Sequence, residues 1–138
     1  MGRDPALQIT VLSDHGDQRG PSFSVTADHL AFLGAPRDVH VACILPGHIR
    51  GNHFHVERKE LILVVHDDQW SLHWDEGEGT SILTRTFSGA GAEALSISPG
   101  AAHALRNDGG SPMWIFAATD GPYDPERPDA YKRVVTGG

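Results

Sequence analysis

No stretch of a dozen residues in this chain keeps the 3.6-residue apolar period of an amphipathic helix. Apolar residues come instead in short runs rich in Val, Ile, Leu, Phe, Thr and Trp, and most of the 16 glycines and 9 prolines fall between them. Gly and Pro interrupt regular structure, so each run is bounded by turns and reads as a strand. The runs fall at 8–12, 22–26, 39–45, 52–56, 60–66, 69–74, 81–87, 92–98, 102–106 and 113–118. Segment 69–74 alternates, with Trp70, Leu72 and Trp74 on one face and Gln69, Ser71 and His73 on the other. Segment 60–74 reads as a hairpin turning near Asp67 and Asp68. Helix is confined to two short candidates, 27–33 and 129–133. About ten short, closely spaced strands predict an all-β sandwich or barrel of the jelly-roll kind.

The 138 residues suit one domain spanning 1–138. Eighteen acidic against eleven basic residues give a formal charge of −7, which argues against nucleic acid or an anionic membrane surface as partner. No apolar run approaches the length of a membrane span, and residues 1–5 lack the apolar stretch of a signal peptide. The single cysteine, Cys43, excludes an internal disulfide, suits a reducing, cytoplasmic setting and reads as a small buried apolar residue. Residues 137 and 138 read as a frayed end.

Nine histidines are present, and His40, His48, His53, His55, His66 and His73 crowd into one stretch. Histidine is the commonest metal ligand. His53 and His55 are one residue apart, so on a strand both imidazoles face the same side. Glu60 opens the next expected strand, within reach of the same point, and a Pro99-Gly100 turn feeds a further strand led by His103. Three imidazoles and a carboxylate form a sound shell for Zn²⁺, Ni²⁺, Fe²⁺ or Mn²⁺.

These residues resemble the cupins. Gly47-(x)5-His53-x-His55-(x)4-Glu60 is similar to the first cupin motif, and Pro99-Gly100-(x)2-His103-(x)3-Asn107 to the second, within residues 47–107. Two departures spare the ligands: Asp67 stands where a glycine is usual, and the second-motif proline sits one place nearer its glycine. The resemblance implies a single-domain cupin jelly-roll barrel holding one divalent transition metal, zinc favoured, on His53, His55, Glu60 and His103.

A finer resemblance reaches almost the whole chain. Asp17-Gln18-Arg19-Gly20 looks like the opening of sugar-nucleotide cupins, while the run Arg50-Gly51-Asn52-His53-Phe54-His55 and the tail Tyr123-Asp124-Pro125 to Pro128-Asp129-Ala130-Tyr131 look like the C-terminal cupin domain of capsular-polysaccharide epimerase/reductases. More distant kin are the dTDP-4-dehydrorhamnose 3,5-epimerases and TDP-4-oxo-6-deoxyhexose ketoisomerases. The resemblance implies an epimerase or isomerase deprotonating carbon next to a ketone in an anionic, nucleotide-linked keto-sugar, in a homodimer. In metal-free relatives a histidine at the position of His53 serves as base; here the full ligand set favours the metal. Outside that shell the candidate bases are His73, His66 and Tyr123, with His73 first because it lies opposite Trp70, Leu72 and Trp74 on its strand. Arg50 and Arg19 are the candidate substrate-binding residues, a guanidinium being a planar fork for phosphate. Asn107 reads as a turn holder, the Trp70/Trp74 pair as core, and Asp75-Glu76-Gly77-Glu78 as a solvated loop. An Fe²⁺-dependent dioxygenase and a non-catalytic ligand- or metal-sensing cupin are the competing functions.

Overall fold

The computed structural model describes residues 4–137, so the expectations for residues 1–5 and 137–138 fall largely outside them. Two antiparallel five-stranded sheets face each other as a jelly roll. The first has the order β1-β7-β4-β9-β2, made of β1 (Leu7–Val11), β7 (Gly91–Ile97), β4 (Glu60–His66), β9 (Met113–Thr119) and β2 (Asp38–Ile44). The second has the order β10-β3-β8-β5-β6, made of β10 (Tyr131–Lys132), β3 (Ile49–Phe54), β8 (His103–Asn107), β5 (Trp70–Trp74) and β6 (Leu83–Phe87). No helix among the described residues is long and apolar enough to cross a membrane.

Strand alternation builds the core between the sheets. Ile62 and Val64 of β4, Leu95 and Ile97 of β7, Trp70 and Leu72 of β5 and Leu105 of β8 are all buried in one cluster. Each such side chain stabilises the fold by about 1.5–3 kcal/mol relative to exposure. Strand β4 is buried on its other face too, where Leu61 joins Leu33 of the helix α1 (Ala27–Leu33) in a second cluster. That double burial explains why β4 reads as a continuous apolar run rather than an alternating one.

Segment 22–26 is not a strand. Its alternation is real, but Phe23 and Val25 pack into the second cluster, over a sheet face instead of at a sheet edge. Residues 129–133 do not form a helix: Asp129 has a left-handed φ of 46°, and Tyr131–Lys132 pair with Phe54 and His53 as β10. Asp75 is also not part of a solvated loop. It is buried, takes Arg133 Nε and Nη2 at 2.8 Å each, and accepts the Ala102 N–H at 3.0 Å. Trp70 lies fully in the core, and Asn107 holds a turn by donating to the Ile44 and Ser111 carbonyls, 2.8 Å each.

Candidate metal centre

The strand expected at 52–56 runs instead from Ile49 to Phe54, and a bulge inside it decides which side chains face the barrel interior. Arg50 pairs with Leu105 and Gly51 with Ala104, but His53 pairs with His103, so the register slips between Gly51 and His53. Arg50 and His53 are three residues apart and would face opposite ways on a regular strand. The extra residue in the bulge returns His53 to the inner face beside His103. Gly51 is required there. With φ at 118°, an added Cβ would lie 2.5 Å from the His103 carbonyl oxygen and 2.8 Å from Ala104 Cα. Asn52 takes a left-handed φ of 59°, and its side-chain oxygen accepts the N–H groups of Val135 at 2.9 Å and Thr136 at 3.2 Å. The bulge thereby ties down the C-terminal segment.

His55 lies just past the end of β3, so its placement comes from a different cause than the shared strand face expected from sequence. Its Nδ1 donates to the Asp129 carbonyl at 2.6 Å. The Asp129 carboxylate in turn accepts the N–H groups of Val56 at 2.9 Å, and of Glu57 and Arg58 at 3.1 Å each. Asp129 thus fixes both the ring and the turn that comes after it. Glu60 is the first residue of β4, and His103 the first of β8, with its Nδ1 donating to the Ala101 carbonyl at 3.0 Å.

The four groups converge. One ligand atom from each of His53, His55, Glu60 and His103 lies within 4.8 Å of the others. The ring centroids of His53 lie 5.2 Å from His55 and 5.0 Å from His103. With Nδ1 of His55 and His103 committed to carbonyls, both rings turn Nε2 toward Glu60 Oε1, at 3.4 Å and 3.1 Å respectively. The His55 contact lacks hydrogen-bond geometry, which leaves a buried Nε2 with no partner. Carbonyl-fixed imidazoles aiming a free nitrogen at a carboxylate are what a metal site of three histidines and a glutamate needs. Ligands about 2.0–2.2 Å from an ion stand about 3–4 Å apart, so small side-chain shifts would close the shell.

Without an ion, the four groups set one another's charge. Burial, followed by the neighbouring His103, pushes His53 down to about 4, so its ring is neutral and its lone pair available at pH 7. Burial works to raise Glu60, but the hydrogen bond from His103 and the nearby His55 ring outweigh it and hold the carboxylate well below its usual range. For His55 burial acts downward and Glu60 outweighs it, so the ring is held above the ordinary histidine value.

The four residues line a cavity of about 690 Å³, shared with residues of β2, β9 and the segment 123–130. Two other residues expected from sequence, Arg50 and Tyr123, line it as well. Arg50 Nε donates to the Cys43 carbonyl of β2 at 2.9 Å, which leaves its terminal nitrogens for a ligand. His73 is not in the cavity. The alternation that buries Trp70 and Leu72 turns it to the opposite face of β5, where it is buried and bonded to Ser71 Oγ at 2.8 Å and Thr84 Oγ1 at 3.2 Å. Arg19 is also elsewhere, highly exposed and paired with Asp17 at 2.7 Å. His66 lies in a separate buried pair with Glu93, 2.8 Å apart. Asp38 and His40 of β2 and Arg58 line the cavity, although sequence reasoning does not single them out. The inward alternation of Asp38, His40 and Ala42 along β2 is the signal that could have found the first two.

Comparisons with known proteins place this architecture. No curated protein matches the chain at a significant level. Among solved structures, the capsular polysaccharide assembling protein CapF from Staphylococcus aureus is 26% identical with a TM-score of 0.64, covering 90% of this chain and 34% of its own. This chain therefore spans about a third of the length of that relative. Two others share the fold at lower identity. The rmlC epimerase of Mycobacterium tuberculosis is 20% identical with a TM-score of 0.70, covering 93% of this chain and 68% of its own. A variant of the 3,4-ketoisomerase QdtA from Thermoanaerobacterium thermosaccharolyticum, solved with TDP-4-keto-6-deoxyglucose, is 10% identical with a TM-score of 0.68, covering 93% and 88%. The family profile described as "Polysaccharide biosynthesis C-terminal domain" matches residues 15–131. The chain, a cupin jelly roll, belongs to the polysaccharide biosynthesis C-terminal domain family.

Proposed function

We propose that this chain binds one divalent transition metal, zinc favoured, on His53, His55, Glu60 and His103, and works as an epimerase or isomerase. Its substrate is an anionic, nucleotide-linked keto-sugar or a similar small carbonyl compound, deprotonated at carbon next to the ketone. The observation that carries the metal is the buried, unpartnered His55 Nε2 among three converging ligands. A bound divalent ion would supply Lewis-acid polarisation of the substrate carbonyl.

The protein's own groups supply the rest. Asp129 and Ala101 hold the Nδ1 protons of His55 and His103, so Nε2 of each ring is the nitrogen turned toward Glu60 and the coordination point. Arg50 at the mouth offers its unbonded nitrogens to the phosphates of a nucleotide. Arg58 lies along the same cavity, anchored by donating to the Pro128 carbonyl at 2.7 Å. Tyr123 brings a phenolic O–H that can return a proton to carbon. The QdtA structure contains a nucleotide-linked 4-keto sugar, which supports the substrate class.

A homodimer is part of the same reading. Strand β2 is an unpaired edge, and Val39, Val41, Trp114 and Phe116 leave an exposed apolar strip beside it. Sedimentation of metal-loaded protein should give twice the mass of the chain; a monomer at micromolar concentration would contradict this.

The function is tested by loading the protein with zinc and following loss of the α-proton of TDP-4-keto-6-deoxyglucose in D₂O by NMR. Washout of that signal supports the reading. A protein that copurifies with iron and consumes oxygen would put the dioxygenase in its place.

A further inference from the structure

Proton removal next to a ketone needs a base outside the metal shell, and His73 lies on the wrong face of its sheet to serve. The need for such a base rests on the isomerase reading. The first sheet supplies the missing group. Its register sets Glu60, Thr119 and Asp38 side by side across β4, β9 and β2, all on the inner face. The next inner row is Ile62, Ala117 and His40. Two strand spacings of about 4.8 Å put His40 roughly 10 Å across the sheet from the Glu60 column. That is about the breadth of a sugar ring with its contact distances, and the side chains between are the small Ala117 and Thr119.

His40 has the chemistry the position asks for. Its Nδ1 faces Asp38 Oδ2 at 3.8 Å, and its side chain is about half exposed (54%) at the cavity mouth. A carboxylate beside Nδ1 favours the tautomer whose proton sits there, leaving the Nε2 lone pair for substrate. The other polar groups of the cavity outside the metal set do not fit. Arg50 and Arg58 carry N–H donors and no acceptor, the Thr119 hydroxyl donates to the Gly121 carbonyl, Tyr123 offers a phenol suited to donating, and the Asp38 carboxylate faces His40.

We propose that His40 is the base of this site, with Asp38 as its positioning residue. The C–H bond next to the ketone breaks and its proton goes to His40 Nε2. The bonding electrons form the carbon–carbon double bond, and the carbonyl oxygen takes the negative charge as an enolate. Return of the proton from His40 to the same carbon restores the substrate; delivery from Tyr123 O–H to the opposite face inverts that carbon, and the proton left on His40 then passes through water to the tyrosinate, which resets both groups. No oxidant or reductant is involved.

The test compares zinc-loaded wild type with His40→Gln, His40→Asn, Tyr123→Phe and His73→Gln, using α-proton washout from TDP-4-keto-6-deoxyglucose in D₂O. Zinc content, thermal midpoint and KM are measured for each protein. The expected result is a fall of about 100-fold or more in kcat for both His40 variants. Their zinc content should equal wild type and KM should stay within about threefold. His73→Gln should retain washout. A His40 variant that binds zinc and keeps washout within threefold of wild type overturns the assignment while leaving the isomerase reading intact. Wild-type protein that holds zinc but gives no washout overturns that reading and this assignment with it. If one His40 variant fails to fold, the other decides.

Discussion

The carbonyl oxygen of Asp129 accepts the Nδ1 proton of His55 at 2.6 Å, joining residues 74 positions apart in the chain. The Asp129 carboxylate meanwhile gathers three consecutive backbone N–H groups from the turn between His55 and Glu60. One residue therefore sets the tautomer of one ligand and the geometry of the turn leading to the next.

Asp129→Ala keeps the backbone carbonyl that holds His55 but removes the carboxylate that orders residues 56–58, so it should weaken metal binding indirectly, by about 10-fold, the low end of what losing support around a ligand costs. Three backbone donors would also lose their acceptor, at a cost of about 1–2 kcal/mol in stability since the turn is partly solvated. Asp129→Asn, which keeps an acceptor oxygen, should lose less of both. Competition titration against a chromogenic chelator reads the affinity, and urea denaturation the stability. Equal affinity in Asp129→Ala and wild type would refute the positioning role.

Gly51→Ala tests the bulge. A methyl group there meets the His103 backbone at a distance real side chains avoid, in a left-handed conformation that disfavours Ala. The variant should lose about 2 kcal/mol or more and bind metal poorly, since His53 and His103 are paired across the same spot. A urea midpoint unchanged from wild type would show that the bulge is not needed.

The buried pair of His66 and Glu93 should make stability depend on pH. Burial acts against the charged ring, but the Glu93 hydrogen bond outweighs it, so His66 is held above the ordinary histidine value. Its Nδ1 also faces two carbonyls, Gly89 at 2.8 Å and Asp68 at 3.2 Å, and both ring nitrogens thus meet acceptors that ask for a proton. A raised folded-state value means the contribution is complete below about pH 6.5 and is lost as pH rises through that raised value. In metal-free protein, wild-type stability should fall over that interval more steeply than that of His66→Asn. Parallel curves for the two would contradict the assignment.

Arg133→Met should destabilise the fold by about 3 kcal/mol, because the buried Asp75 carboxylate loses its bidentate partner. Arg133 also stacks over Phe54, 4.2 Å from the ring centroid, next to the strand that carries His53. Adding Asp75→Asn to Arg133→Met should recover part of the loss by removing the stranded charge. Additive losses in the double variant would argue against the pairing.

Much of this molecule is legible in its sequence. The jelly roll, β4 at 60–66 and the helix at 27–33 come from apolar run length and from Gly and Pro punctuation, which act locally. The convergence of His53, His55, Glu60 and His103 comes from motif spacing. What escapes a sequence reading has non-local causes. The bulge at Gly51 and Asn52 depends on the partner strand, so no period-2 count can place His53 and Arg50 on one face. The tail at 129–133 reads as helical because its extended form is imposed by His55, Val56 and Phe54, far upstream. His73 is misplaced because alternation shows which residues share a face but not which face lines the cavity. His40 is missed for the same reason.

The site stands or falls on one divalent metal held by His53, His55, Glu60 and His103. Elemental mass spectrometry of tag-free protein tests this, with His55→Ala purified in parallel and no metal added. Wild type should carry close to one equivalent of a single divalent metal, and the variant should lose it. Wild-type protein that carries no metal and takes up none when offered zinc, nickel, iron or manganese would contradict the ligand set.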